Sequence, residues 1–209
     1  ITVGLNWDNN TAYFFRADNR YVRYNKVNDQ ADSGYPIDVS NSSWLGLGDY
    51  RDLITAGFNA ENGKSYFFLR DGRYIQYDNA TDRADAGYPK PTDNINWPGL
   101  GTYAGSIKAS LRWTTSKVIF FLSNGTYLRY DLTKRKVDTG FPKAVDNTNW
   151  PGLGSYATQI TSAIKWSDTR AYIFLTDQRY IRYNITTNSA DAGYPAPINS
   201  GTWPGLLSP

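Results

Sequence analysis

The chain has 209 residues, 40% of them apolar and 16% aromatic, so it can bury a core and global disorder is excluded. It contains no Cys, no His and no Met. That excludes disulfides, thiolate zinc sites, cysteine nucleophiles, a Ser-His-Asp triad, His-ligated metals and an axial His for haem. The net charge of +3 is spread along the chain and leaves no footprint for nucleic acid or a membrane surface.

No apolar run is long enough to span a bilayer, and none follows a charged start as a signal peptide would. Opening at Ile1 with no Met, the sequence reads as a processed chain or an excised fragment. Tyr24, Tyr77, Tyr130 and Tyr183 lie 53 residues apart, and so do Trp44, Trp97, Trp150 and Trp203. Ten columns are identical in all four copies: Ile1, Phe15, Tyr21, Tyr24, Asp32, Gly34, Pro36, Trp44, Gly46, Leu47 and their equivalents. The repeats run 1–53, 54–106, 107–159 and 160–209, and together form one domain over 1–209.

One unit predicts the others. In the second, Ile54, Ala56 and Phe58 alternate with Thr55 and Gly57, the period of a strand. Glu61-Asn62-Gly63 is a turn, Tyr66 to Leu69 a second strand, and Asp71-Gly72 a two-residue hairpin turn that uses the freedom of Gly at positive φ. Tyr74 to Tyr77 returns as a third strand. Gly87-Tyr88-Pro89 breaks the chain before a less regular outer strand. Asn94 to Tyr103, with Trp97-Pro98-Gly99-Leu100-Gly101, suits a loop or a short helical turn.

Each unit therefore predicts three or four short antiparallel strands. Large residues on both faces of the second and third strands require neighbours on both sides. Four such sheets around an axis make an all-β, four-bladed propeller with a central channel. The first strand suits the axis, because its third and fourth residues are small in every copy: Val3-Gly4, Ala56-Gly57, Ala109-Ser110 and Ser162-Ala163. The alternative, a linear solenoid, needs polar capping repeats, whereas the end copies here are as apolar as the middle ones.

The Gly-Tyr-Pro after Asp-x, the Trp-Pro-Gly-Leu, the inner strand opening on Ile and the Tyr-Phe-Phe hairpin resemble hemopexin-like repeats, and the resemblance covers all four units. It implies a propeller like those of haem-carrying plasma proteins, exosite domains of metalloproteinases, vitronectin-like adhesion proteins and small seed albumins. It favours a secreted or extracellular place for the protein. Two departures stand out. There is no disulfide to staple the first blade to the last, so closure must rest on packing of both termini. The inner strand of the family usually carries Asp where this chain has Thr2, Thr55, Lys108 and Thr161. In the family, backbone carbonyls at that place point into the channel around a cation. A neutral Thr2, Thr55 and Thr161 with a cationic Lys108 imply at most a weak channel cation, no tightly held metal and no required cofactor. Lys108 either bonds those carbonyls itself or points to solvent. Haem binding is not expected without His.

Most repeated aromatics read as core. Trp7, Trp113 and Trp166 have Ala60 as their fourth equivalent, and a position that accepts Ala is less essential to the core, which makes these three the better ligand candidates. Asp32, Asp85, Asp138 and Asp191, two residues before Gly, either accept bonds from the turn backbone or present carboxylates to a ligand beside Tyr35, Tyr88, Phe141 and Tyr194. Arg23, Arg129 and Arg182, with Gln76 as the odd one out, lie over the aromatic rings. Fourfold repetition offers similar environments rather than two unequal carboxylates in one cleft, so no enzyme activity is expected.

The reading favoured by these residues is a non-enzymatic binding protein, carbohydrate-binding and lectin-like, with repeated but unequal sites for glycans or small ligands and the third unit weakest because Phe141 lacks a hydroxyl. An albumin-like storage or small-cation-binding protein and a protein-interaction domain excised from a larger extracellular protein remain alternatives. Sequons at Asn9, Asn41, Asn79, Asn124 and Asn184 are near the number expected by chance.

Overall fold

The computed structural model describes residues 1–209. The first blade contains β1 (Val3–Asn6), β2 (Thr11–Phe15), β3 (Arg20–Asn25), β4 (Gln30–Ala31) and β5 (Ile37–Asp38). The second contains β6 (Ile54–Asn59), β7 (Lys64–Leu69), β8 (Arg73–Asp78), β9 (Arg83–Ala84) and β10 (Lys90–Pro91). The third contains β11 (Ile107–Arg112), β12 (Lys117–Leu122), β13 (Thr126–Asp131), β14 (Lys136–Val137) and β15 (Lys143–Ala144). The fourth contains β16 (Ile160–Ser167), β17 (Arg170–Leu175), β18 (Arg179–Asn184), β19 (Ser189–Ala190) and β20 (Ala196–Pro197).

Each blade is an antiparallel sheet of five strands, one more than the upper expectation. The extra strand arises because two short segments share the outer edge of the third strand. In the second blade, β9 pairs with the end of β8 (Tyr77 opposite Ala84), and β10 pairs with its start (Tyr74 opposite Lys90). The Gly87-Tyr88-Pro89 break separates them, with Gly87 at φ 81°. The Trp-Pro-Gly-Leu loop leads into a short 3₁₀ turn, Gly101–Ser106 in the second blade, that delivers the chain to the next inner strand.

The inner strands β1, β6, β11 and β16 pack in sequence around the axis, and β1 meets β16 to close the ring. Their small residues are there because backbones converge. A Cβ on Gly4 would lie 2.9 Å from Cβ of Ile164, and one on Gly57 would lie 3.0 Å from Cγ1 of Val3. Apolar packing divides into four cores, one at each seam between adjacent blades. At the fourth seam Phe14, Tyr24 and Val22 of the first blade pack with Phe174, Trp203 and Leu206 of the last.

The seams are also joined by one repeated backbone bond. Ala84 N donates to Leu45 O, Val137 N to Pro98 O, Ala190 N to Pro151 O, and Ala31 N to Pro204 O, at 2.8–3.2 Å. The loop glycine beside this bond has positive φ and no room for a side chain. A Cβ on Gly152 would come 2.4 Å from that of Ala190, and one on Gly205 would come 2.6 Å from that of Ala31. Closure is thus non-covalent, and the last blade meets the first by the same contact as every other pair. The tail adds one more tie: the Arg16 guanidinium donates to Ser208 O at 2.6 Å.

Candidate functional site

The three tryptophans singled out above are half-buried fillers. Trp7 stands edge-on to Trp44 (5.9 Å between ring centroids), Trp113 to Trp150 (5.3 Å) and Trp166 to Trp203 (5.4 Å). Trp113 and Trp166 also reach across the seam to Tyr183 and Tyr24 of the next blade. In the second blade Ala60 occupies this place, and no ring covers Trp97 from that position. The space left is a cleft of about 430 Å³ between the second and third blades.

Its walls are aromatic: Tyr66, Tyr74, Tyr88 and Trp97 from the second blade and Tyr130 from the third. Trp97 meets Tyr66 edge-on at 5.2 Å and Tyr130 at 5.0 Å, so the wall is a continuous packed surface. Burial raises the phenols of Tyr66 and Tyr74 above their usual value and pushes that of Tyr130 to about 12, with Arg135 opposing the shift. All three stay protonated at neutral pH and can donate hydrogen bonds. The polar lining consists of Asn62, Gln76 and Asn96, with Lys90 and Arg135 as its charged members.

Two further departures from the repeat fall on this cleft. Tyr24, Tyr77 and Tyr183 bond through their hydroxyls to the residue five positions on, Asp29, Asp82 and Asn188. For Tyr130 that residue is Arg135, which cannot accept, and the Tyr130 hydroxyl makes no hydrogen bond to the protein. Gln76 stands where the other blades have Arg. Its amide nitrogen donates to Asp85 at 2.6 Å, and its oxygen accepts from the Tyr88 hydroxyl at 3.2 Å. Ala60, Gln76 and Arg135 come from two different repeats and meet only across the seam.

The repeated aspartates do not cap their turns. Asp32 pairs with Arg23 at 2.5 Å and Asp138 with Arg129 at 2.6 Å, while Asp191 pairs with Arg182. Asp85 is held by Lys64 at 2.9 Å as well as by Gln76, and Asp138 is also held by Lys117 at 2.8 Å. The turn between the third and fourth strands has a cap of its own, seven positions before each aspartate: Asn25, Asp78, Asp131 and Asn184 accept from the amides two and three residues on. The arginines do lie over rings, with guanidinium carbons 5.4 Å from Tyr35, 5.0 Å from Phe141 and 5.1 Å from Tyr194. In the second blade Lys90 alone lies over the Tyr88 ring, its ammonium at 4.6 Å, whereas in the third Lys143 joins Arg129 over Phe141. Of the predicted site residues, only Tyr88 lines the cleft, with Asp85 behind it.

At the axis, the hydroxyls of Thr2, Thr55 and Thr161 donate to Phe15 O, Phe68 O and Phe174 O on the neighbouring strands. Lys108 is exposed and bonds to no carbonyl, which leaves the solvent-pointing alternative. Cations engage carbonyls at the opposite mouth. Arg112, 8% exposed, donates to Asn59 O (3.1 Å), Thr114 O (2.9 Å) and Thr115 O (2.7 Å). Lys26 donates to Asn6 Oδ1, Asp8 O and Trp166 O. The void beside Arg112 is about 20 Å³, the scale of a single water.

Sequence comparison could have exposed the cleft through the column of Asp29, Asp82, Arg135 and Asn188, which changes from acceptor to donor once. Ala60 marked the right column, but its meaning is the reverse of that expected: the alanine makes the opening and the tryptophans close it.

No family model matches the chain. Interstitial collagenase A of Mus musculus is 26% identical over 163 residues, 74% of this chain but 31% of the collagenase, so the chain spans about a third of that relative's length. Among solved structures, a hemopexin fold protein from cow pea superposes with a TM-score of 0.80 at 19% identity, covering 99% of this chain and 96% of that one. A plant albumin from Cicer arietinum showing hemagglutination gives 0.79 at 24% identity with the same coverage. A plant lectin with two metal binding sites, also from Cicer arietinum, gives 0.76 at 22%, again covering 99% and 96%. Four five-stranded blades closed on one axis, repeated at 53 residues and matched over their whole length by these structures, make the chain a four-bladed propeller of hemopexin-like repeats.

Proposed function

We propose that the chain is a non-enzymatic, carbohydrate-binding protein whose principal site is the cleft between the second and third blades. The observation that carries this reading is the lining itself: packed aromatic rings, with phenol hydroxyls and the amides of Asn62, Gln76 and Asn96 at hand. A sugar ring has one apolar face that packs on such rings and hydroxyls that take amide and phenol bonds. The volume, about 430 Å³, falls within the roughly 300–1,000 Å³ of small-molecule sites. No carboxylate lines the cleft, so it offers no acid–base pair for glycoside cleavage. The hemagglutination of one structural neighbour and the lectin description of another support the same reading.

The seams filled by Trp7, Trp113 and Trp166 take no principal part in this reading, which concentrates binding at one seam instead of four. A glycan array identifies the ligand, and isothermal titration then gives about one site per chain. Ala60→Trp, which restores the filler of the other blades, abolishes binding without unfolding the ring. An array on which nothing binds, or an Ala60→Trp variant that binds as well as the parent, overturns the proposal.

A further inference from the structure

We infer that the cleft takes a saccharide bearing an anionic group, held by Arg135 and Lys90; this rests on the carbohydrate reading above. The charge of the cleft is one-sided. Arg135 and Lys90 line it, no Asp or Glu does, and neither cation has a salt-bridge partner in the fold. Asp85, behind Gln76, does not line the cleft and is bonded by the Gln76 amide and by Lys64, which it shares with Asp78. The two cationic side chains therefore face the cavity with their charge unmet.

Structural demands do not explain Arg135. Its column carries Asp, Asp and Asn in the other blades, and each accepts the hydroxyl of the buried Tyr behind it. All four residues sit at φ near 50°, the left-handed region in which Asp and Asn are at home and Arg is uncommon. Arginine gives up a hydrogen bond and a favoured backbone residue type, and frees the Tyr130 hydroxyl at the cavity wall. The changes at Ala60 and Gln76 work in the same direction. One opens the space, and the other removes the guanidinium that in other blades lies locked between an aspartate and an aromatic ring. Lys90 lies over the Tyr88 ring, as Lys143 lies over Phe141 beside Arg129, and it lines the cleft. The planar fork of Arg135 suits the two oxygens of a carboxylate or two of a sulfate, with the Tyr130 hydroxyl beside it as a further donor.

The test uses the whole chain and an array that pairs each uronic acid-, sialic acid- or sulfate-bearing glycan with its neutral counterpart. The expected result is at least tenfold tighter binding of the anionic member of a pair, weakening as salt is raised. Carboxylated against sulfated glycans decide which anion is read. Arg135→Asn, which copies the fourth blade at a position where Asn is at home, should keep the fold and lose that tenfold preference. Equal binding of charged and neutral members, or a preference that survives Arg135→Asn, overturns the inference and leaves the carbohydrate reading standing. No binding to any glycan overturns that reading itself.

Discussion

The seam between the second and third blades and the seam between the fourth and first share one skeleton. Trp97 packs on Tyr130 at 5.0 Å in one, and Trp203 packs on Tyr24 at 5.3 Å in the other. Each has its loop carbonyl bonded to the next blade's fourth strand. They differ in the layer above. At the closing seam Trp166 covers both rings, the Tyr24 hydroxyl is accepted by Asp29, and the Lys26 ammonium lies 5.0 Å from the Trp166 ring while bonding its carbonyl. At the open seam Ala60 covers nothing and Arg135 accepts nothing. Joining blades and presenting a surface are thus tasks of separate residues on the same seam, so the second can change without loss of the first.

The largest expected effect tests the joining layer. Deleting Trp203 to Pro209 removes the buried Trp203 and Leu206 and the Pro204 carbonyl. It should cost upward of about 5 kcal/mol, read as a collapse of the denaturation midpoint. An unchanged midpoint would show that the closing seam does not hold the ring. Removing only Ser208 and Pro209 should cost about 1 kcal/mol, because the Arg16 bond to Ser208 O is lost.

Next comes the covering layer. Trp166→Ala should open the closing seam and lower stability by about 3 kcal/mol, the low end for a tryptophan because this one is half-buried. Its converse, Ala60→Trp, should raise stability by about 1 kcal/mol as it buries apolar area on Trp97 and Tyr130. If Trp166→Ala alone confers glycan binding at the closing seam, Arg135 and Gln76 are not what distinguishes the two.

A smaller effect separates the middle blades from the outer ones. Asp131 is held down to about 2 by its bond from Lys117 and by the amides of Lys134 and Thr133. Its folded pKa lies below the ordinary 3.8, so its contribution is present above that value and is lost as pH falls towards 2. Asp131→Asn copies Asn25 and Asn184, which cap the same turn without titrating. The melting temperature of the variant should fall less steeply between pH 4 and pH 2 than that of the parent. Arg135→Asn should stabilise the chain by no more than about 1 kcal/mol through relief of the left-handed arginine.

The fold was legible because each structural contact is written four times. Phe15, Tyr21, Tyr24 and Trp44 recur without a gap, and one unit's alternation and turns predict the rest. The two-residue fourth strand, such as Arg83–Ala84, was not legible, because two residues carry no period. The cleft was half legible. Ala60 and Gln76 stood out as exceptions within their columns. Arg135 lies in another repeat, and nothing in the linear order puts it beside Ala60. The repeated aspartates were misplaced for a similar reason. Asp32 lies two residues from Gly34 along the chain, but its carboxylate reaches across the sheet to Arg23, a contact that pairing between strands creates.

The four interchangeable junctions also bear on where the polypeptide can be cut. Leu207 and Ile1 pack against the same apolar core, so a short linker can join the ends. With them joined, severing the Leu53–Ile54 peptide moves the break to a junction held by the same Trp, Gly and carbonyl contacts. A circular permutant opened there should reach the same closed ring, because the topology has no privileged first blade.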